Sequence, residues 1–182
     1  MSADRSLAGV VDVEDARSRE DAFQRLADRH LPAAYALARA ILRDPADAED
    51  ATHDAFVTAW RKWGTLRDVS RFEHWFDRIL VNTCRNRLRR SARAGRAIWN
   101  VRPIGHEAHV SWADRETIAT ALASLDVNHR IVVALRFYRD LTVPEIARRT
   151  GLRPGTVKSR LHYALRRLHA ALDEADAREV LG

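Results

Sequence analysis

Apolar residues recur in steps of three and four along nearly all of the 182-residue chain, while Gly and β-branched runs are scarce. That period belongs to amphipathic helix, so the composition, rich in Ala, Leu and Arg, leads to an all-α fold. The punctuation divides the helices. One runs from about Arg19 to Leu42, with Pro32 as a point of bending. Asp44 is a good N-cap and Pro45 suits a first helical turn, opening a helix to about Trp63. "GTLRDVS" breaks the pattern; Ser70 with Glu73 is expected to form a capping box for a helix from Arg71 to about Arg93. Residues 94–113, "AGRAIWNVRPIGHEAHVSWA", show no period and read as a flexible linker. Helices resume over Arg115–Leu125 and, capped by Asp126, on to Arg139. Thr142 with Glu145 opens another helix that ends at Gly151, and Pro154 starts the last long one. The expected organisation is therefore a tail (1–18), a helical domain (19–93), the linker (94–113), a second helical domain (114–175) and a C-terminal tail (176–182).

Hydrophobic residues at 46% and charged residues at 31% suit a folded domain rather than a disordered chain. The net charge of +6 favours a polyanionic partner. A single cysteine, Cys84, excludes an intramolecular disulfide and fits a reducing cytosol. The acidic N-terminus has no apolar core of a signal peptide, and no apolar run approaches the roughly 20 residues of a membrane span. A cytoplasmic protein without membrane insertion is expected.

Thr142–Thr150 and Pro154–Leu168, separated by "GLR", have the layout of a helix-turn-helix. Ile146, Leu152, Val157, Leu161, Leu165 and Leu168 are expected to face its core. Thr156, Lys158, Ser159, His162, Tyr163 and Arg166 then face outward. Between Glu145 and Asp173 the charged residues are all basic: Arg148, Arg149, Arg153, Lys158, Arg160, Arg166 and Arg167. A carboxylate there would repel phosphates, whereas Arg and Lys neutralise them and release counterions. Lys, Ser, His and Arg can also pair with base edges in a major groove. The same pattern also suits a solvated basic face on an ordinary helix hairpin, and the motif alone names only a broad class.

"ALASLDVNHRIVVALRFYRDLTVPEIARRTGLRPGTVKSRLHYALRRL" resembles the C-terminal domain of bacterial sigma factors of the extracytoplasmic-function (ECF) group, which reads the −35 promoter element. Response regulators share part of this frame, but nothing here reads as their receiver domain of alternating strands and helices. Arg153 stands where the family often has a capping Ser. The resemblance implies −35 contacts from Thr156, Lys158, Ser159, Arg160, His162, Tyr163 and Arg166.

"DPADAEDATHDAFVTAW", Asp44–Trp60, resembles the family segment that docks on the coiled coil of the RNA polymerase β′ subunit. Asp47, Asp50 and Asp54, three and four apart, form an acidic stripe. Ala48, Ala55, Phe56, Ala59, Trp60 and Trp63 lie on the other side, and no Lys or Arg interrupts the stretch between Arg43 and Arg61. The resemblance assigns Asp47, Asp50, Asp54 and His53, which stands where Gln is common, to polymerase docking. "RFEHWFDRILVNTCRNRLRR", Arg71–Arg90, resembles the next segment, which opens and reads the −10 element. It implies Asn82 and Asn86 as base readers, with Arg85, Arg89 and Arg90 in a run free of acids from Arg78 to Arg102. The loop Gly64–Ser70 corresponds to the one that accepts a flipped base. Trp63, Phe72, Trp75 and Phe76 are candidates for base stacking and equally for the core, which suits Trp75 and Phe76 better.

His106 and His109 lack further ligands for a metal, and no pattern calls for a cofactor or a catalytic centre. The implied partners are core RNA polymerase, promoter DNA and a dedicated anti-sigma protein. A free-standing helix-turn-helix repressor or activator is the rival reading; it leaves the acidic helix unused. A sigma-like scaffold bound to a regulator is a third.

Overall fold

A computed structural model describes residues 4–93, 120–122 and 124–181, with side chains described over 17–92, 120–122, 124–174 and 177. The expected linker, with Trp99, His106, His109 and Trp112, lies outside the described residues, as does the onset of the helix expected from Arg115. Every regular element among the described residues is helical.

The first unit holds α1 (Asp4–Leu42), α2 (Pro45–Arg61) and α3 (Phe72–Arg93). α1 starts upstream of the expected Arg19 and continues through Pro32, at the loss of one backbone hydrogen bond. It stops where Arg43 takes a left-handed φ of 72°, its N–H still donating to the Arg39 carbonyl. Asp44 then caps α2 as expected, its carboxylate accepting from the Asp47 N–H at 2.8 Å. Ala48, Ala51, Thr52, Ala55 and Ala59 form the buried stripe of α2, the Thr52 hydroxyl donating to the Ala48 carbonyl. With only small side chains there, the neighbouring helices can lie close.

They pack against Leu37 and Ile41 of α1 and Phe72, Phe76, Leu80 and Cys84 of α3, all buried. Phe76 stacks on Phe56 at 4.4 Å and on Phe72 at 5.5 Å, and Phe23 meets Trp63 edge-on. Trp63, Phe72 and Phe76 are therefore core residues with no free face for a base; Trp75 is half-buried and packed beside them.

Two short 3-10 turns, Trp63–Thr65 and Val69–Arg71, join α2 to α3. The capping box expected of Ser70 and Glu73 does not form. Asp68 instead accepts from the Ser70 N–H at 3.0 Å and its hydroxyl at 2.6 Å, so Ser70 lies inside the turn it was expected to start.

The second unit holds α4 (Val127–Tyr138), α5 (Val143–Thr150) and α6 (Pro154–Leu181), preceded by helical residues at 120–122 and 124. Asp126 caps α4 through the Asn128 N–H at 2.7 Å. Glu145 accepts from both the N–H and the hydroxyl of Thr142, at 2.8 and 2.6 Å. Gly151 closes α5 at φ 72°, its N–H donating to the Ala147 carbonyl. Leu135, Ile146, Val157 and Ala164 form the buried centre. α6 continues to Leu181, into the expected C-terminal tail.

The units pack together. α1 lies along α4, and α3 meets α5 and α4. The apolar core is continuous across this seam.

Candidate functional site

The acidic stripe forms on α2. Asp50 and Asp54 keep 62% and 59% of their side-chain surface exposed, Asp47 only 22%. His53 is exposed between them. The stripe has a counter-charge from elsewhere in the chain: Arg87 of α3 bonds Asp47 through Nε at 2.7 Å, pairs with Asp50 through Nη2, and reaches Asp54 through Nη1 at 3.7 Å. Partial burial works against its charge, but the bonds to Asp47 and Asp50 outweigh it and hold the guanidinium above its ordinary pKa. Nothing local in the sequence pairs Arg87 with acids some 40 residues away; by position it belongs to the basic run of α3. Three carboxylates against one guanidinium leave the face acidic. Trp60, on the same helix, is 44% exposed.

On α3, Asn82, Asn86, Arg89 and Arg90 are exposed. Their spacing of four, three and one places them on one side of the helix. Arg85 differs. It is half-buried, its Nε has no partner, and its pKa is lowered by burial and then by Arg89 and Arg160. The loop Gly64–Ser70 is held by the Asp68 turn and by an exposed Arg71–Asp68 pair at 3.2 Å.

On α6, Lys158, Ser159, His162, Tyr163 and Arg166 are exposed and Thr156 is half-buried. Lys158, His162 and Arg166 step by four along one face. Val157, Leu161 and Ala164 face inward. The expected inward Leu165 is 37% exposed, because steps of four, three and four from Val157 lead through Ala164 to Leu168. Tyr163 leans on His129 at 4.7 Å. Arg160 is the exception on this helix too: it is half-buried, with Nη1 enclosed and unpartnered.

The molecule therefore carries an acidic surface on α2, an Arg- and Asn-bearing surface on α3 and a Lys-, His- and Arg-bearing surface on α6. Cys84 is shut in the core, where burial pushes its thiol up to about 12. Among the described residues no group of three or more His, Cys, Asp or Glu could hold a metal, and no helix is long and apolar enough to cross a membrane.

Comparison with known proteins assigns both units. Residues 26–94 match the family model Sigma-70 region 2, and residues 121–170 match Sigma-70, region 4. The ECF RNA polymerase sigma factor SigL of Mycobacterium tuberculosis is 34% identical over 174 residues, covering 89% of this chain and 96% of that protein. The RNA polymerase sigma-E factor of Streptomyces coelicolor is 31% identical over 173 residues, 93% of this chain and 91% of its own. Among solved structures, the sigma factor RpoE in complex with the anti-sigma factor NepR from Bartonella quintana superimposes with a TM-score of 0.69. It is 25% identical and covers 83% of this chain and 96% of its own. CnrH, in complex with the cytosolic domain of CnrY, gives 0.63 at 30% identity, over 91% and 96% of the two chains. With both sigma-70 regions in order and relatives matched over most of their length, the chain belongs to the ECF group of RNA polymerase sigma factors.

Proposed function

We propose that this chain binds core RNA polymerase and directs it to promoters by contacts at the −10 and −35 elements. The observation that carries the reading is the segregation of charge onto separate helices. Asp47, Asp50 and Asp54, with His53 beside them, suit a basic protein surface such as the β′ coiled coil and repel DNA. Asn82 and Asn86 offer amides to bases of the −10 element, and Arg85, Arg89 and Arg90 offer guanidiniums to the adjacent phosphates. Lys158, Ser159, His162, Tyr163 and Arg166 of α6 suit the −35 major groove, with Thr156 and Arg160 at its edge. Residues 19–93 and 114–175 are the two working domains, and 94–113 spans between them.

Opening the −10 element requires a base to leave the stack, which costs a few kcal/mol. The loop Gly64–Ser70 is the candidate cradle for it. With Trp63, Phe72 and Phe76 in the core, the cradle relies on that loop's backbone and polar groups. The polymerase supplies the chemistry, and the chain acts as its specificity subunit. A similar sigma factor solved in complex with the anti-sigma factor NepR supports an anti-sigma partner here as well.

The test is co-elution of the full chain with bacterial core polymerase on size exclusion, beside Asp50→Arg. The expected result is a complex with the wild type that Asp50→Arg loses while keeping its helical circular dichroism. A wild type that never co-elutes with matched polymerase, yet binds a specific DNA site alone, would make the stand-alone DNA binder the better account.

A further inference from the structure

Tyr163 sits off the outward stripe of α6. Lys158, His162 and Arg166 step by four along that stripe, and Tyr163 follows His162 by one residue, about 100° further round the helix. That turn brings it to the entrance of α4. Its ring centroid lies 4.7 Å from that of His129, in the first turn of α4, with the two planes 40° apart. Arg167, one turn beyond Tyr163 on the same flank, donates to the Ser124 hydroxyl at 3.4 Å. The entrance of α4 therefore follows this flank of α6 at two points.

The ring pair is one-sided. Tyr163 is 49% exposed, whereas the His129 side chain keeps only 24% of its surface. His129 Nδ1 is enclosed and has no hydrogen-bond partner. The nearest carboxylate oxygen, Asp126 Oδ1, is 3.6 Å away and already accepts from the Asn128 N–H at 2.7 Å. Packing rather than a hydrogen bond holds the imidazole at Nδ1, and Tyr163 supplies a ring of that packing. Such a pair favours one arrangement of the tyrosine by roughly two- to tenfold over an unbraced ring.

We infer that His129 is a positioning residue for Tyr163, holding one face of its ring open to the −35 major groove, where it meets the methyl group of a thymine.

This role rests on the −35 reading of α6. Among base edges in a major groove, the thymine methyl is the apolar feature, and an apolar side-chain surface is what discriminates it. The open face of Tyr163 suits that contact, while Lys158, Ser159, His162 and Arg166 beside it suit polar edges and phosphates. An unbraced tyrosine loses torsional freedom when it meets a base. One already held against His129 has lost part of that freedom beforehand. A residue of α4, outside the recognition helix, thereby sets how well one base is read. A brace that only stabilised the domain would instead change affinity for every sequence alike.

The experiment uses holoenzyme assembled from bacterial core polymerase and the full chain, and selects from promoters randomised across the −35 element. The wild type is expected to prefer thymine at one position. His129→Ala should reduce that preference by about two- to tenfold, and Tyr163→Ala by at least as much, at that position alone. The double variant should do no worse than Tyr163→Ala, since the two residues act as a unit. His129→Phe keeps a ring and should retain the preference, as should Tyr163→Phe, which drops only the hydroxyl. Replacing that thymine with uracil removes the methyl group; it should weaken wild-type binding severalfold and leave Tyr163→Ala unaffected. A thymine preference unchanged in His129→Ala overturns the brace. A loss spread evenly over all positions in His129→Ala assigns His129 to the fold alone and overturns it too. A wild type indifferent to uracil overturns the methyl contact. A wild-type holoenzyme with no −35 preference overturns the −35 reading itself, and that result is read without any variant.

Discussion

Arg87 illustrates how one side chain can sit on the boundary between two surfaces. By position it lies within the acid-free basic run of α3, yet it turns onto Asp47, Asp50 and Asp54. These contacts are partly exposed, so Arg87→Ala should cost folding stability only about 1 kcal/mol or less by urea denaturation. It leaves the three carboxylates without their counter-charge. Retention on core polymerase should survive the change and become more sensitive to salt; loss of retention at every ionic strength would mean Arg87 itself is part of the contact. Cys84 gives a second residue-scale expectation. With its thiol buried and pushed up to about 12, it should resist a thiol-specific reagent in the native protein and react fully only in denaturant. Rapid reaction in native buffer would contradict the packing of α3 against α2. Asp44, Asp126 and Gly151 were legible in the sequence because a cap acts within one helical turn. Arg87 was not, nor was Asp77, which accepts from Arg139 and Arg149 of the second unit; their partners come from elsewhere in the chain and no local pattern records them.

At the scale of elements, the helix-turn-helix depends on its turn. Gly151 holds φ 72° with open space where a Cβ would project. Gly151→Ala should therefore destabilise the second unit through backbone strain alone, by about 1–2 kcal/mol, read as a shift in thermal midpoint. An unchanged midpoint would contradict the turn. Lys158 and Arg166 are exposed on α6, so replacing either with Ala should leave the fold intact. Each should reduce the salt slope of DNA binding by about 1 if it meets a phosphate, or relax base preference if it meets a base edge. Steps of four, four and three from Val157 put Leu165 inward and steps of four, three and four put Ala164 there; both suit one helix face, and only this position differs from expectation. The helical period places the small Ala164 inside, where it packs closely, and turns Leu165 partly outward. Ser70 yielded its expected capping role to Asp68 for a similar reason: the 3-10 turn places Asp68, not Ser70, at the boundary.

For the molecule as a whole, the two helical regions and their order were legible from periodicity and motif. Their packing against each other was not, since it is set by long-range contacts along α1 and α4 and by the Asp77 cluster. That seam also has a pH dependence. His30 and His74 lie beside it, and both are lowered from their ordinary value of 6.5. For His74 the causes are burial and then Arg149, Arg148, Arg78 and Arg71; for His30 they are burial, Arg139 and Arg29, opposed by Glu73. A base with a depressed pKa binds fewer protons in the folded chain than in the unfolded one. The fold is therefore favoured at neutral pH and loses stability as pH falls through the ordinary imidazole range. Thermal midpoints should fall between neutral pH and about pH 5.5, and His74→Gln should blunt that fall; a midpoint rising over this range would contradict the assignment.

The central claim is that the chain makes core polymerase promoter-specific. Its most direct test is transcription by core polymerase on genomic fragments from the source organism, with and without the full chain, followed by mapping of RNA 5′ ends. The account predicts new start sites that share a −10 and −35 pair at fixed spacing, absent with core alone and lost with Asp50→Arg. A chain that co-elutes with core polymerase yet produces no start sites beyond those of core alone would contradict it.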